Sequence, residues 1–225
     1  AAYWNPAGLT QTPYNNGAAL MHASYYANLA NFDYVGYMQK LDSTSALAIS
    51  MLRFGIDDIP NTLDLMDAQG NINYNRITRF SSADYAVLAT YAGKVKCKTT
   101  LRYGITFKTL RRLIGSFANA WGFGIDAGIQ ISKEGFNFGI MGRDLSGTFN
   151  AWRYTLNDAQ KTSLLQTGNI LPEKSLEITS PKLITGCSFT KAFGNTISVE
   201  AECNLVNRFD GMNNSIIQSR YWNID

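Results

Sequence analysis

The stretch 121–132 constrains this chain more than any other. Its odd positions are Trp121, Phe123, Ile125, Ala127, Ile129 and Ile131; its even positions are Gly122, Gly124, Asp126, Gly128, Gln130 and Ser132. One face is apolar and the other is glycine with polar side chains. A period of two is a strand, because successive strand side chains point to opposite faces. The run is long. Ordinary strands hold about five or six residues, whereas a tilted strand crossing a bilayer needs about nine to eleven.

The rest of the chain repeats this element. Residues 1–18 carry Asn5-Pro6 and Asn15-Asn16-Gly17, which are turn formers, and read as loop. Alternating runs near 19–29, 32–40, 45–56, 78–94, 99–108, 121–132, 136–145, 182–190, 196–205 and 215–225 give about ten strands. In the first, His22, Ser24 and Asn28 form the polar face. In the ninth, Glu200 and Glu202 share the polar face opposite Val199, Ala201 and Cys203. Longer connections are expected at 57–76, at 109–118 and at 146–181. The last contains a helical segment capped by Asn157 or Asp158. From the second strand onward, short and longer connections alternate. In an antiparallel meander alternate connections lie at the same end of the sheet, so one end has tight turns and the other has large loops. That asymmetry is found in outer-membrane barrels. The first connection, 29–31, is too short for the pattern.

Composition narrows the choice. No run approaches 18 consecutive apolar residues, so helical membrane spans are excluded. A mean hydropathy of −0.14 does not exclude a barrel, in which only every second residue is apolar. A soluble barrel alternates in the same way with its apolar face inward, and the period alone does not tell inside from outside. Three features favour the membrane version. The strands are long. Only 16% of residues are charged, and the polar faces hold Gly, Ser, Thr and Asn where a soluble surface carries more Lys and Glu. Trp4, Tyr34, Tyr85, Trp121 and Trp222 fall near strand ends, as in an interfacial girdle.

Little points to catalysis or to nucleic acid. Net charge is +3, too weak for a nucleic-acid footprint, and the one dense basic cluster, Lys108-Thr109-Leu110-Arg111-Arg112, reads as a solvated or headgroup-facing turn. The single histidine, His22, reads as a hydrogen-bonding group facing lumen or solvent rather than as a general base. No nucleophile elbow or phosphate loop is present. Asp57, Asp58, Asp64 and Asp67 lack the pattern of a calcium loop. Cys97, Cys187 and Cys203 offer no zinc spacing; Cys187 and Cys203 fall on apolar faces, and one pair among the three could bridge. No cofactor or metal is expected. In a barrel, His22, Arg102, Asp126, Arg143, Glu200 and Glu202 would face the lumen, with the acids balanced across it by Arg102, Lys108 or Arg143. Such a lumen is partly filled by its own salt links.

The segment Trp4-Asn5-Pro6-Ala7-Gly8-Leu9 resembles the signature near the start of FadL-like outer-membrane barrels, and more closely the PorV/PorQ family of Bacteroidota. Phe80-Ser81-Ser82-Ala83-Asp84, Gly124 to Gly128, and Gly168 to Pro172 followed by Pro181-Lys182-Leu183 are also similar. The resemblance implies an all-β, antiparallel, up-and-down transmembrane barrel in the bacterial outer membrane, with fourteen strands in the FadL-like case. It implies a plug or loop segment at 1–18, with Asn5, Pro6 and Gly8 in or near the plug, and a barrel domain at 19–225. The chain opens mid-motif, so segments beyond both ends are expected. The implied function is non-enzymatic: a type IX secretion component binding secreted proteins or other secretion proteins. The alternative is a transporter of small hydrophobic molecules. A soluble β-domain binding a partner is the reading from a third class.

Overall fold

The computed structural model describes residues 3–63, 65, 71–96, 99–194, 197–209, 217–218 and 223–224. The fold is all-β. Strands β1 (Asn16–Tyr25), β2 (Ala30–Lys40), β3 (Ser45–Asn61), β4 (Thr78–Lys96), β5 (Thr100–Ile114), β6 (Ala118–Lys133), β7 (Phe136–Arg143), β8 (Thr148–Tyr154), β9 (Ser175–Thr179), β10 (Lys182–Phe193) and β11 (Ile197–Arg208) form one antiparallel, up-and-down sheet. Two short strands, β12 (Ile217–Gln218) and β13 (Asn223–Ile224), complete it. They are antiparallel to each other, so the expected single run over 215–225 does not hold at these residues. The sheet is open: β1 lies at one edge and β12 at the other, and among the described residues no pairing joins them.

Two strands are interrupted rather than ended. β7 and β8 both pair with β6, the first along 127–133 and the second along 118–123. β9 and β10 continue the match, pairing with β8 and β7 respectively. The break at 144–147 is therefore an insertion within one long strand, and the break at 180–181 a kink in the next. This corrects the connection expected at 146–181. Its two ends are strand, and the loop itself spans 155–174, with helix α1 at Asp158–Gln166. Asn157 caps that helix in a capping box with Gln160. The connection expected at 109–118 is likewise strand apart from the turn 115–117. Among the connections whose flanking strands are β1 to β10, this end of the sheet carries two longer ones, between β3 and β4 and between β8 and β9, and two tight turns, 26–29 and 115–117.

Register decides which face is which. Val35, Met51, Val87, Thr109, Phe123, Phe149 and Ile178 stand in one row across seven strands. The apolar side chains of this row and its neighbours are exposed, among them Ile49, Met51, Ile105, Phe107, Trp121, Phe123, Ile129 and Phe149. The opposite face is buried although it is polar: Ser50, Thr90, Thr106, Lys108, Asp126, Thr148 and Asn150 all lie there. The sheet is inside out relative to a soluble barrel.

Some expected placements change. His22 pairs in register with Asp33, and that row continues through Arg53, Tyr85, Arg111 and Trp121. It lies on the apolar outer face, so His22 does not face the interior. The cause is the tight turn 26–29, in which Tyr26, Ala27 and Asn28 take left-handed φ of 53°, 55° and 72° and fix the hairpin register. Tyr85 and Trp121 stand in one outer row as a girdle would require, but Tyr34 faces inward, its hydroxyl 3.0 Å from Ser50 Oγ. Trp4 belongs to the N-terminal segment, and Trp222 and Cys97 lie outside the described residues.

Candidate functional site

The candidate site is the buried polar face and the segment lodged against it. Residues Pro6–Gln11 form a 3-10 helix. Asn5 starts it: its backbone is extended and its side-chain oxygen accepts from the Ala7 N–H at 3.0 Å. Pro6 follows at the first helical position, where a missing N–H leaves nothing unsatisfied. Pro6, Ala7, Leu9 and Thr10 are buried, and Leu9 packs on Ala46 and Ala92. The helix touches β3, β4, β5 and β6. Its seat is cut by two glycines. A Cβ added at Gly104 would stand 2.5 Å from the Pro6 carbonyl carbon, and one added at Gly128 would strike the Asn5 side chain. Arg143 holds the start of the segment, donating to the Tyr3 carbonyl at 3.0 Å with its guanidinium 5.1 Å from the Tyr3 ring centre. Trp4, Asn5, Pro6, Ala7, Gly8 and Leu9 are thus one lodged unit, although the Trp4 indole itself is exposed.

Charges on the inner wall are mostly closed into local groups. Lys108 Nζ donates to Asp126 Oδ1 at 2.7 Å and lies 2.5 Å from Asp144 Oδ1. All three residues are more than nine-tenths buried. Asp144 reaches this position from the 144–147 insertion, with φ of 57°. Its N–H donates to Asp126, and the Thr148 hydroxyl donates to its carboxylate. Leaving a buried carboxylate without its cation costs about 3–5 kcal/mol, so the insertion and the wall fold as one piece. Toward the loop end, Arg112 bonds Asp84 at 3.1 Å and Glu177 at 3.0 Å, and the Trp152 indole N–H donates to Glu177 at 2.8 Å.

Of the residues expected to face a lumen, Arg102, Asp126, Arg143, Glu200 and Glu202 stand on the same face of the sheet as the buried polar residues, Glu200 and Glu202 exposed there. Asp126 is balanced by Lys108, one of the expected partners, though from the neighbouring strand rather than across the lumen, and among the described residues Arg102 and Arg143 make no ion pair with Glu200 or Glu202. Arg102 donates to Ser132 Oγ at 2.7 Å, Lys108 is taken by Asp126 and Asp144, and Arg143 by Tyr3. The Glu202 carboxylate accepts from Asn204 Nδ2 at 2.6 Å. Glu200 and Glu202 line a cavity of about 570 Å³ beside the lodged segment, together with Gln11, Gln130, Asn137 and Asn204. Its lining mixes these polar groups with apolar side chains, among them Trp4, Phe138, Met141, Ile184 and Val206.

Elsewhere, Cys187 and Cys203 face each other in register on the exposed apolar side of β10 and β11, both as free thiols. Asp57 is held by Arg53 at 3.5 Å; Asp64 and Asp67 lie outside the described residues. Among the described residues no group of three or more His, Cys, Asp or Glu is placed to hold a metal ion. Asp144, Arg112 and Glu177 belong to the inner wall but were not legible from motifs, since each acts across strands paired far apart in sequence.

A comparison with protein-family models finds no match, and a comparison with curated proteins finds none either.

Proposed function

We propose that this chain forms the wall of a bacterial outer-membrane β-barrel whose lumen holds the 4–11 segment as a plug. The observation that carries the reading is the inverted sheet: hydrocarbon is exposed and charge is buried. Water disfavours an extended exposed apolar surface, at about 25 cal/mol for each Å², and a bilayer removes that penalty. The size of the surface fits. Along β6 the outer face is apolar from Trp121 to Ile131, a path of about 33 Å at the strand rise. Tilted by about 40°, it spans about 25 Å, the height of the apolar band of such barrels.

Within that class, the reading is a non-enzymatic part of a protein-secretion system, similar to PorV/PorQ, that binds secreted proteins at the cell surface. One feature supports it over a transporter of small hydrophobic molecules. The 155–174 loop presents Leu165 and Ile170 to solvent, the latter 93% exposed, and exposed apolar side chains on a loop held by a rigid scaffold are suited to protein contacts.

The test is purification of the full-length protein from native membranes in mild detergent, with mass spectrometry of what co-elutes. Secreted proteins sharing a C-terminal domain, or large secretion components, are the expected result. Bound lipid-like molecules without protein partners would favour transport. Recovery in the soluble fraction without detergent would overturn the membrane assignment.

A further inference from the structure

The basic run 108–112 is divided by the strand it lies in. Lys108 and Arg112 point inward and are each met by two carboxylates. Arg111 points outward and, among the described residues, is met by none. Its guanidinium lies 4.9 Å from the centre of the Trp121 ring, and it donates to the side-chain oxygen of Asn119 at 2.9 Å. Asn119 stands opposite Arg153 in the β6–β8 pairing, as Trp121 stands opposite Arg111 in the β5–β6 pairing. Arg153 is exposed and has no ion pair or hydrogen bond among the described residues. Arg53, in the same outer row as Arg111, is instead neutralised by Asp33 and Asp57.

We infer that Arg111 and Arg153, with Asn119 and Trp121, form a site on the outer face for the phosphate of an anionic lipid. The inference rests on the membrane reading above. β5 and β8 flank β6, and Arg111 is level with Trp121 while Arg153 is level with Asn119, so the two arginines start two strand spacings and two residues apart, roughly 12 Å. Two arginine side chains reach a single phosphate placed between them. Guanidinium groups suit phosphate oxygens through paired N–H donors, and the Asn119 amide lies between the two. The neighbourhood selects a lipid over a free anion. One step further along the same face stand Phe123 and Phe149, directly opposed, and Phe123 stacks on Phe107 with ring centres 6.3 Å apart. A molecule with its phosphate on the arginines lays its hydrocarbon on these rings. Trp121 then sits at headgroup depth, where indoles concentrate.

The experiment uses the full chain in detergent micelles, titrated separately with short-chain phosphatidylglycerol, short-chain phosphatidylcholine and inorganic phosphate. Bound molecules are counted by native mass spectrometry. The expected result is phosphatidylglycerol binding roughly tenfold tighter than phosphatidylcholine. R153Q, which removes no contact of the fold, lowers that ratio to roughly threefold, and R111Q/R153Q lowers it to about one. Arg79→Ala, whose guanidinium donates to the Asp58 carbonyl at 3.1 Å, leaves the ratio unchanged. Equal binding of both lipids by the unaltered protein overturns the site while leaving the membrane reading intact. Inorganic phosphate that binds as tightly as phosphatidylglycerol and displaces it overturns the lipid assignment. A protein that binds neither lipid and stays dispersed without detergent removes the membrane reading itself.

Discussion

Gly104 makes room for the backbone of the lodged segment and Gly128 for its Asn5 side chain. The lodged helix lies so close to β5 and β6 that a single methyl group at either position collides with it. Overpacking a filled site costs about 1–3 kcal/mol, and here the helix bears that cost because the strands are fixed by their ladders. Gly104→Val is therefore expected to dislodge residues 5–11 and leave the sheet intact. A cysteine placed at Ala7, which is fully buried, reports the change: its maleimide labelling should accelerate at least about tenfold in the Gly104→Val background, a population shift of about 1.4 kcal/mol. Strand content by circular dichroism should stay constant. Labelling that stays slow would mean the seat is looser than the geometry indicates. The motif at 4–9 is visible in the sequence, and so is the glycine-rich face of 121–132. That the two meet is not visible, because nothing local links Asn5 to Gly128.

Elements in this chain are defined by turns as much as by alternation. The 41–44 turn is held by one side chain. Asp42 accepts from the N–H and hydroxyl of Thr44, both at 2.6 Å, and from the N–H and hydroxyl of Ser45 at 2.8 and 2.6 Å. The Ser45 hydroxyl, followed by Thr44, holds this carboxyl well below the usual carboxylate range. A depressed folded-state pKa stabilises the fold fully above the unfolded value of about 3.9, and the stabilisation is lost as pH falls toward the folded value. Asp42→Ala should thus lower the urea midpoint at pH 7, and the difference from the unaltered protein should shrink at pH 3. A difference that does not change with pH would assign the effect to turn shape rather than to the carboxylate.

Alternation read the hairpins well where the phase was constant. It failed at 144–147. In β7 the inward residues are odd, Met141 and Arg143 among them; in β8 they are even, Thr148, Asn150 and Trp152. The insertion flips the parity, so a reading by period ends the strand there and assigns its second half to a loop. The extension of β5 through 109–114 was missed for a related reason. Arg111 and Arg112 stand side by side on opposite faces, which removes the apolar–polar contrast that marks a strand.

At the scale of the whole molecule, the sequence defined two faces and the register assigned them to inside and outside. A single substitution distinguishes lipid from water at the outer face. Ile125 lies midway along the outer row of β6 and is 36% exposed. Facing lipid, Ile125→Lys should destabilise the folded protein by about 2–4 kcal/mol. Facing water, the same change should fall within about 0.5 kcal/mol of neutral. Unfolding in phospholipid vesicles, followed by urea titration, measures the difference, and a neutral result would contradict a lipid-facing outer wall.

The seat of the lodged helix also sets an order of events. Nearly every strand contact joins neighbours along the chain, so hairpins can be added one after another with little loop entropy to overcome. Residues 5–11 are the exception. They are synthesised before the sheet exists, yet Gly104 and Gly128 form their seat only once β5 and β6 are paired. The segment must therefore wait, unlodged, while the strands assemble, and it closes the interior late, after the wall around it has been built.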